Sequence, residues 1–229
     1  MATPSLLLLL ADGRFPAGAH AHSGGLEAAV AAGRVTDLTS LEAFLAGRLA
    51  TAGLVGAAFA AAAHRAALAE TAVRSGSLAR LDAELDARTA APALRAVSRR
   101  QGRALLRAGR AIWPDAPFTD LPATPGGAHQ PLVLGLLCAA AGLSRVETAT
   151  IAAYGTVTGA ASAGVRLLGL DPYRVQTLLV GLADACDGTA ADAARAADDP
   201  PERLPAAAAP LADIHAEIHA TWEVRLFAS

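Results

Sequence analysis

Lysine and asparagine are absent from this chain, and all nineteen basic residues are arginine. Taken with the alanine excess, this points to the coding bias of a GC-rich genome rather than to an arginine-specific function. Aromatics make up only 4%, so alanine and leucine must do the packing. Small side chains let helices approach closely, and alanine is the best helix former because it loses no rotamer entropy. β-branched residues are sparse and never alternate over a useful length, which leaves strands without support. The expected class is all-α. Cysteine is scarce as well: Cys138 and Cys186 stand far apart without a CxxC pattern, and read as small buried hydrophobes in a reducing cytoplasm. A formal net charge of −2 argues against broad nucleic-acid binding. The apolar run Leu6 to Leu10 is too short for a secretory signal, has no basic residue before it and is followed by Asp12. The longest uncharged stretches, such as 148–165, are rich in Ala, Gly and Thr and read as buried helices, not membrane spans. There is no repeat, no P-loop, no GxSxG and no Cys/His cluster with zinc-finger spacing. No nucleophile, base and orienter are arranged along the chain, which therefore reads as a binding protein rather than an enzyme.

A chain of 229 residues can bury roughly 70–75% of its unfolded surface. The expectation is one domain over residues 1–229, a bundle of about eight to ten helices. In "TSLE", Thr39 and Glu42 are spaced as a capping box, opening a helical region to about Glu70 with Gly53 and Gly56 as bends or contact points. A shorter helix is expected over 78–86. The next, over 92–112, buries the stripe Leu94, Ser98, Gln101, Leu105, Ala108 and Ile112. Pro131 and Gly142 bracket a buried helix, and Ser144 with Glu147 forms a second box that opens a helix to about residue 168. Asp171 as cap and Pro172 at the first position start another, to about Cys186. Residues 114–128 and 188–210, rich in Pro, Gly and Asp, are expected as connectors, the second one mobile. A terminal amphipathic helix spans 211–222.

Several features invite a functional reading. The stretch "FPAGAHAHSGGLE", residues 15–27, places His20 and His22 one residue apart among glycines. That pair could ligate metal only if extended, and a closed site needs more donors. His215 and His219 at i, i+4, with Glu217 nearby, have a spacing that can chelate nickel or zinc. For both pairs, packing or surface capping is the better-supported reading. Gly18, Gly24 and Gly25 permit tight turning, Ser23 or Gly24 caps a helix over 26–32, and Glu27 complements its dipole. Phe15 and Pro16 anchor the entry. Arg95, Arg99, Arg103 and Arg107 recur every fourth residue, with Arg100 and Arg110 beside them. A solvated face is the plainer reading, and a dock for an acidic partner the sharper one. From Asp171 to Arg225 the balance reverses, with ten acids against four arginines. Gly155, Gly159, Ser162 and Ala163 form a small-residue face suited either to an internal helix crossing or to a dimer contact.

Four blocks together resemble the UreF family of urease accessory proteins. They are "LLLLLADGRFPAGAHAHSGGLEAAVAAGRV", "LRAVSRRQGRALL", "RLLGLDPYRVQ" and "HATWEVRLFAS", in family order and spanning nearly the whole chain. The chain departs from the family pattern at His20, at Ala220 and over Gly169–Arg174. The resemblance implies an all-helical cytoplasmic homodimer that joins the UreD (UreH) scaffold and recruits and regulates the UreG GTPase. The complex inserts nickel into apo-urease, and no cofactor is stably held by UreF itself. On that basis Phe15, Pro16, His22, His219, Arg225, Leu226, Phe227 and Ser229 are expected at the scaffold contact. Arg95, Arg99, Arg166 and Gln176 are expected at the GTPase, and Gly155, Gly159, Ser162 and Ala163 at the dimer. His20, His22, His215 and His219 are the metal candidates. The alternatives are a nickel-binding metallochaperone and a GTPase activator that supplies an arginine. The tail 225–229 is expected to stand off the core, dispensable for folding and free to dock.

Overall fold

The computed structural model describes residues 3–16 and 21–227, and among them there is no strand. The helices are α1 (Pro4–Ala11), α2 (Leu26–Ala31), α3 (Leu38–Arg48), α4 (Leu54–Ala67), α5 (Thr71–Arg88), α6 (Pro92–Ile112), α7 (Gln130–Ala140), α8 (Arg145–Leu168), α9 (Pro172–Gly181), α10 (Ala183–Ala196) and α11 (Pro210–Ala220). A π-helical segment, Leu49–Gly53, joins α3 to α4 without a break. Short 3-10 turns lie at Phe118–Asp120 and Pro201–Arg203.

The molecule is organised around α4. Its run Ala57–Ala63 is almost wholly shielded from solvent, and α5, α7, α8 and α10 pack around it. Alanine on every side of α4 is what permits this crowding, because several helices can then approach its backbone. The stretch Leu38–Ala67 is long and apolar enough to cross a membrane, but here it is the helix on which the others pack. Burial pushes the Cys138 thiol up to about 12, so it stays protonated and behaves as a small apolar group.

Close approach between helices is set by glycines other than those singled out in the sequence. A Cβ on Gly135 of α7 would sit 2.4 Å from the Ala60 carbonyl oxygen and 2.6 Å from the His64 nitrogen of α4. A Cβ on Gly102 of α6 would be 2.2 Å from the Ala128 carbonyl oxygen, and one on Gly164 would be 2.9 Å from Leu41. Among the described residues nothing lies within 4 Å of a Cβ added at Gly155 or Gly159, so of the two readings of that face these glycines do not serve an internal crossing.

Several boundaries correct the sequence reading. The capping box of α3 is Asp37 with Ser40, not Thr39 with Glu42; the Asp37 carboxylate accepts from the Ser40 amide at 2.8 Å, and the helix starts earlier. The Ser144–Glu147 box and the Asp171–Pro172 start are present as expected. The short helix expected over 78–86 is longer, as α5. The helix expected to reach Cys186 breaks at Leu182, and α10 continues to Ala196, so the first part of the supposed mobile connector is helix. The rest is pinned: Arg88 donates to the carbonyls of Pro201, Glu202 and Leu204, and Leu204 is buried. On α6 the buried line is Gly102, Leu105 and Gly109, while Ile112 is exposed.

Candidate docking surface

The two ends of the chain meet at Glu27. Gly24 and Gly25, both at positive φ, turn the backbone into α2, and Ser23 Oγ accepts from the Glu27 amide at 3.3 Å. Gly25 therefore occupies the cap position, with Ser23 bonding from two residues before it. This geometry turns Glu27 inward, where only 8% of it is exposed. Its carboxylate accepts from the Leu226 amide at 2.8 Å, the Phe227 amide at 3.0 Å and His219 Nε2 at 3.0 Å. Burial alone would raise the Glu27 pKa, but the Leu226 amide, His219 and the Phe227 amide outweigh it and hold the carboxyl below its usual range. His219 must donate from Nε2, and its ring lies against Trp222 with centroids 4.7 Å apart.

This latch overturns the expectation that the tail stands off the core. Phe227 is 7% exposed and belongs to the main hydrophobic cluster. Phe15 is buried in the same cluster, so neither ring is offered to a partner, whereas Pro16 is exposed. The segment presents other groups to solvent: Leu226 is 74% exposed, with Val224 and Arg225 exposed beside it. On α11, Ala216 and His219 face inward, while Leu211, Ile214 (57% exposed) and Ile218 (51% exposed) form an apolar stripe on the outside. Sequence reasoning named the helix but missed this stripe. Its signal was present: α11 carries large apolar residues at i, i+3 and i+7 and a second, smaller face of Ala212, Ala216 and His219.

The metal and GTPase candidates are rearranged too. Of the His215–His219 pair, His219 Nε2 is taken up by Glu27 and is not open to a metal ion. His22 lines a large groove, as does His215; Gly18, His20 and Ser229 lie outside the described residues. Among the described residues no group of three or more His, Cys, Asp or Glu is placed to hold a metal ion. Arg99 is turned inward, donating to Asp82 at 3.0 Å, to Asp86 at 2.7 Å and to the Gly127 carbonyl. The same cluster holds His129, whose ring nitrogens meet Ser98 at 3.0 Å and Asp86 at 3.1 Å; burial and Arg99 lower its pKa and favour the neutral ring. Arg95 donates to the carbonyls of Thr89 and Ala90. Both arginines therefore hold α6 to α5 and the turn before α6. Arg100, Arg103, Arg107 and Arg110 form the solvated face.

Arg166 and Gln176 are exposed and line the groove, a cavity of about 1550 Å³. Gly155, Gly159 and Ser162 also line it on the outer side of α8, whereas Ala163 is buried toward the core. One further residue there, Arg48, went unnoticed in the sequence because a single arginine in an alanine-rich helix carries no signal. Its guanidinium lies over Gly24, where a Cβ would come within 2.7 Å of Cζ, and it donates to the Gly24 carbonyl. The glycine in "HSGGLE" is thus explained twice over, by its positive φ and by the side chain stacked on it.

The chain is similar to known proteins along most of its length. The UreF family model matches residues 35–183. The chain is 44% identical to the urease accessory protein UreF of Mycolicibacterium vanbaalenii and 46% identical to that of Mycobacterium marinum, in both cases over the full length of each chain. It is 45% identical to the corresponding Mycobacterium tuberculosis protein, over 84% of this chain and 86% of the other.

Proposed function

The chain belongs to the UreF family of urease accessory proteins, and from that premise we propose that it is a non-catalytic, cytoplasmic adaptor of urease maturation. It joins the UreD (UreH) scaffold, recruits and regulates the UreG GTPase, and so serves nickel insertion into apo-urease, with the nickel handled by the complex. The observation that carries the docking part is the outer face of α11 and the tail. Leu211, Ile214, Ile218, Val224 and Leu226 lie exposed at the C-terminal end, and Glu27 and His219 hold the backbone beneath them. Burying a side chain such as Ile or Leu is worth about 1.5–3 kcal/mol, so a stripe of this size gives a partner a substantial apolar anchor even after ordering costs. The double variant Ile214→Asp/Ile218→Asp is expected to keep the thermal midpoint, since both side chains already face water, and to lose co-purification with the scaffold. Undiminished co-purification would move the contact elsewhere.

Self-association is proposed on the open face of α8. Gly155 and Gly159 leave room there for a second backbone, since among the described residues nothing lies within 4 Å of a Cβ added at either. Gly159→Leu is expected to give a folded monomer by sedimentation; an unchanged dimer would place the interface on another face. Toward the GTPase, Arg166 and Gln176 remain available in a way that Arg95 and Arg99 are not.

A further inference from the structure

We propose that Arg48 is the receptor for a carboxylate carried by an acidic segment of a protein partner, bound in the groove walled by α3, α8 and α9. The inference rests on the adaptor reading. Its first support is that the guanidinium is held in place while, among the described residues, no carboxylate is paired with it. Gly24 lies beneath it and accepts one of its N–H groups. Among the described residues no carboxylate forms an ion pair with it, and its Nε is shielded from solvent without a hydrogen-bond partner. Burial draws its pKa down to about 10, with no acid opposing the shift. Arg99, also withdrawn from solvent, faces two aspartates instead. A partly buried guanidinium with no carboxylate against it among the described residues is costly to the isolated chain, and a partner's carboxylate would offset that cost.

The groove supplies the second support. Besides Arg48, its α3, α8 and α9 walls bring Ser40, Ser162, Arg166 and Gln176, while no acidic residue of those three helices lines it. Its two acidic lining residues lie on other walls: Asp12, at the α1 end, is bonded to Arg14, and Asp213 belongs to α11. The helix widens into its π segment immediately after Arg48, the kind of irregularity often found at functional sites. The occupant is a polypeptide rather than a free ion because the groove runs on from Arg48 between many Ala, Gly, Val and Leu walls that a small anion would leave bare. A chain segment with an acidic side chain among apolar neighbours satisfies both the charge and the walls.

The test compares wild type, Arg48→Met and Arg48→Lys as full chains. Each is measured for thermal midpoint and self-association alone, and for affinity to the scaffold, the GTPase and apo-urease as purified proteins. Arg48→Met is expected to hold or raise the midpoint, since it removes an uncompensated charge, and to weaken one of the three partners about ten-fold or more. Arg48→Lys, which keeps the charge but loses the planar fork, should recover part of that affinity; if the Met variant fails to fold, loss of affinity in a stable Lys variant carries the proposal. Equal affinity in wild type and both variants overturns it. If wild type binds none of the three, the adaptor reading itself fails. A fall in midpoint in both variants makes Arg48 a packing residue and overturns the proposal. A change in self-association of the chain alone assigns the groove to a second copy. A midpoint rise with sodium acetate or phosphate, seen in wild type and absent in Arg48→Met, assigns it to a free anion. Either result overturns the partner segment.

Discussion

Replacing Glu27 with alanine should cost about 3–5 kcal/mol of folding stability, because it strands three buried or part-buried donors at about 1–3 kcal/mol each. The change leaves the His219 Nε2 donor and the Leu226 and Phe227 amides without their acceptor, and it removes the tie that holds Phe227 in the core. Glu27→Gln, which keeps one acceptor oxygen but not the charge, should fall between the two. Urea denaturation measures both, and limited proteolysis should find the tail beyond α11 newly accessible. The loss should also depend on pH. The carboxyl is held below its usual value of 4.5, so the folded state binds this proton less tightly than the unfolded chain. Its contribution is therefore complete above about pH 4.5 and disappears as the pH falls through the folded-state pKa. The gap in stability between wild type and Glu27→Ala should narrow in acid. A gap under about 1 kcal/mol at neutral pH would place Glu27 among ordinary surface-like substitutions and reduce the latch to a packing coincidence.

What could be read from the sequence was local, and what could not be read was distant. The Ser144–Glu147 box and the Asp171–Pro172 start involve residues within a few positions of one another, and both formed as expected. "TSLE" also had the right spacing, but Asp37, just before it, competes with a charged acceptor and wins the cap. The part of α10 from residue 188 on reads as connector in the sequence because it lacks large apolar residues. Its buried face is Cys186, Ala190, Ala193 and Ala197, a helical spacing that an alanine-rich background conceals. Phe227 was assigned to a partner because aromatic and arginine residues at a terminus look like an anchor. The contact that buries it is an acceptor 200 positions away, and no local pattern announces that. The resemblance to a family pointed to both ends of the chain as functional blocks, but not to their meeting. The exposed face of α11 shows the same limit: two apolar faces are visible in the sequence, and only packing decides which one the core takes.

Glycine shows most sharply how neighbours decide a residue's worth, and it yields the other large effect. Gly135→Ala is expected to cost about 3 kcal/mol or more, at or above the upper end for overpacking a core. The added Cβ would lie 2.4 Å from the Ala60 carbonyl oxygen and 2.6 Å from the His64 nitrogen. Both are backbone atoms of α4, so no rotamer change can relieve the clash, and α7 must move away from the helix around which the bundle is built. That shift would also disturb Leu132, Leu136 and Leu137, all fully buried on α7. The opposite outcome is expected at Gly76, exposed in the middle of α5 with nothing within 4 Å of an added Cβ. Gly76→Ala should stabilise the protein by about 0.5–1 kcal/mol, because alanine loses less backbone freedom on folding. Measured side by side by urea denaturation, the same chemical change should move stability in opposite directions. Equal effects at the two sites would mean that α4 and α7 do not approach as closely as the Gly135 contact requires.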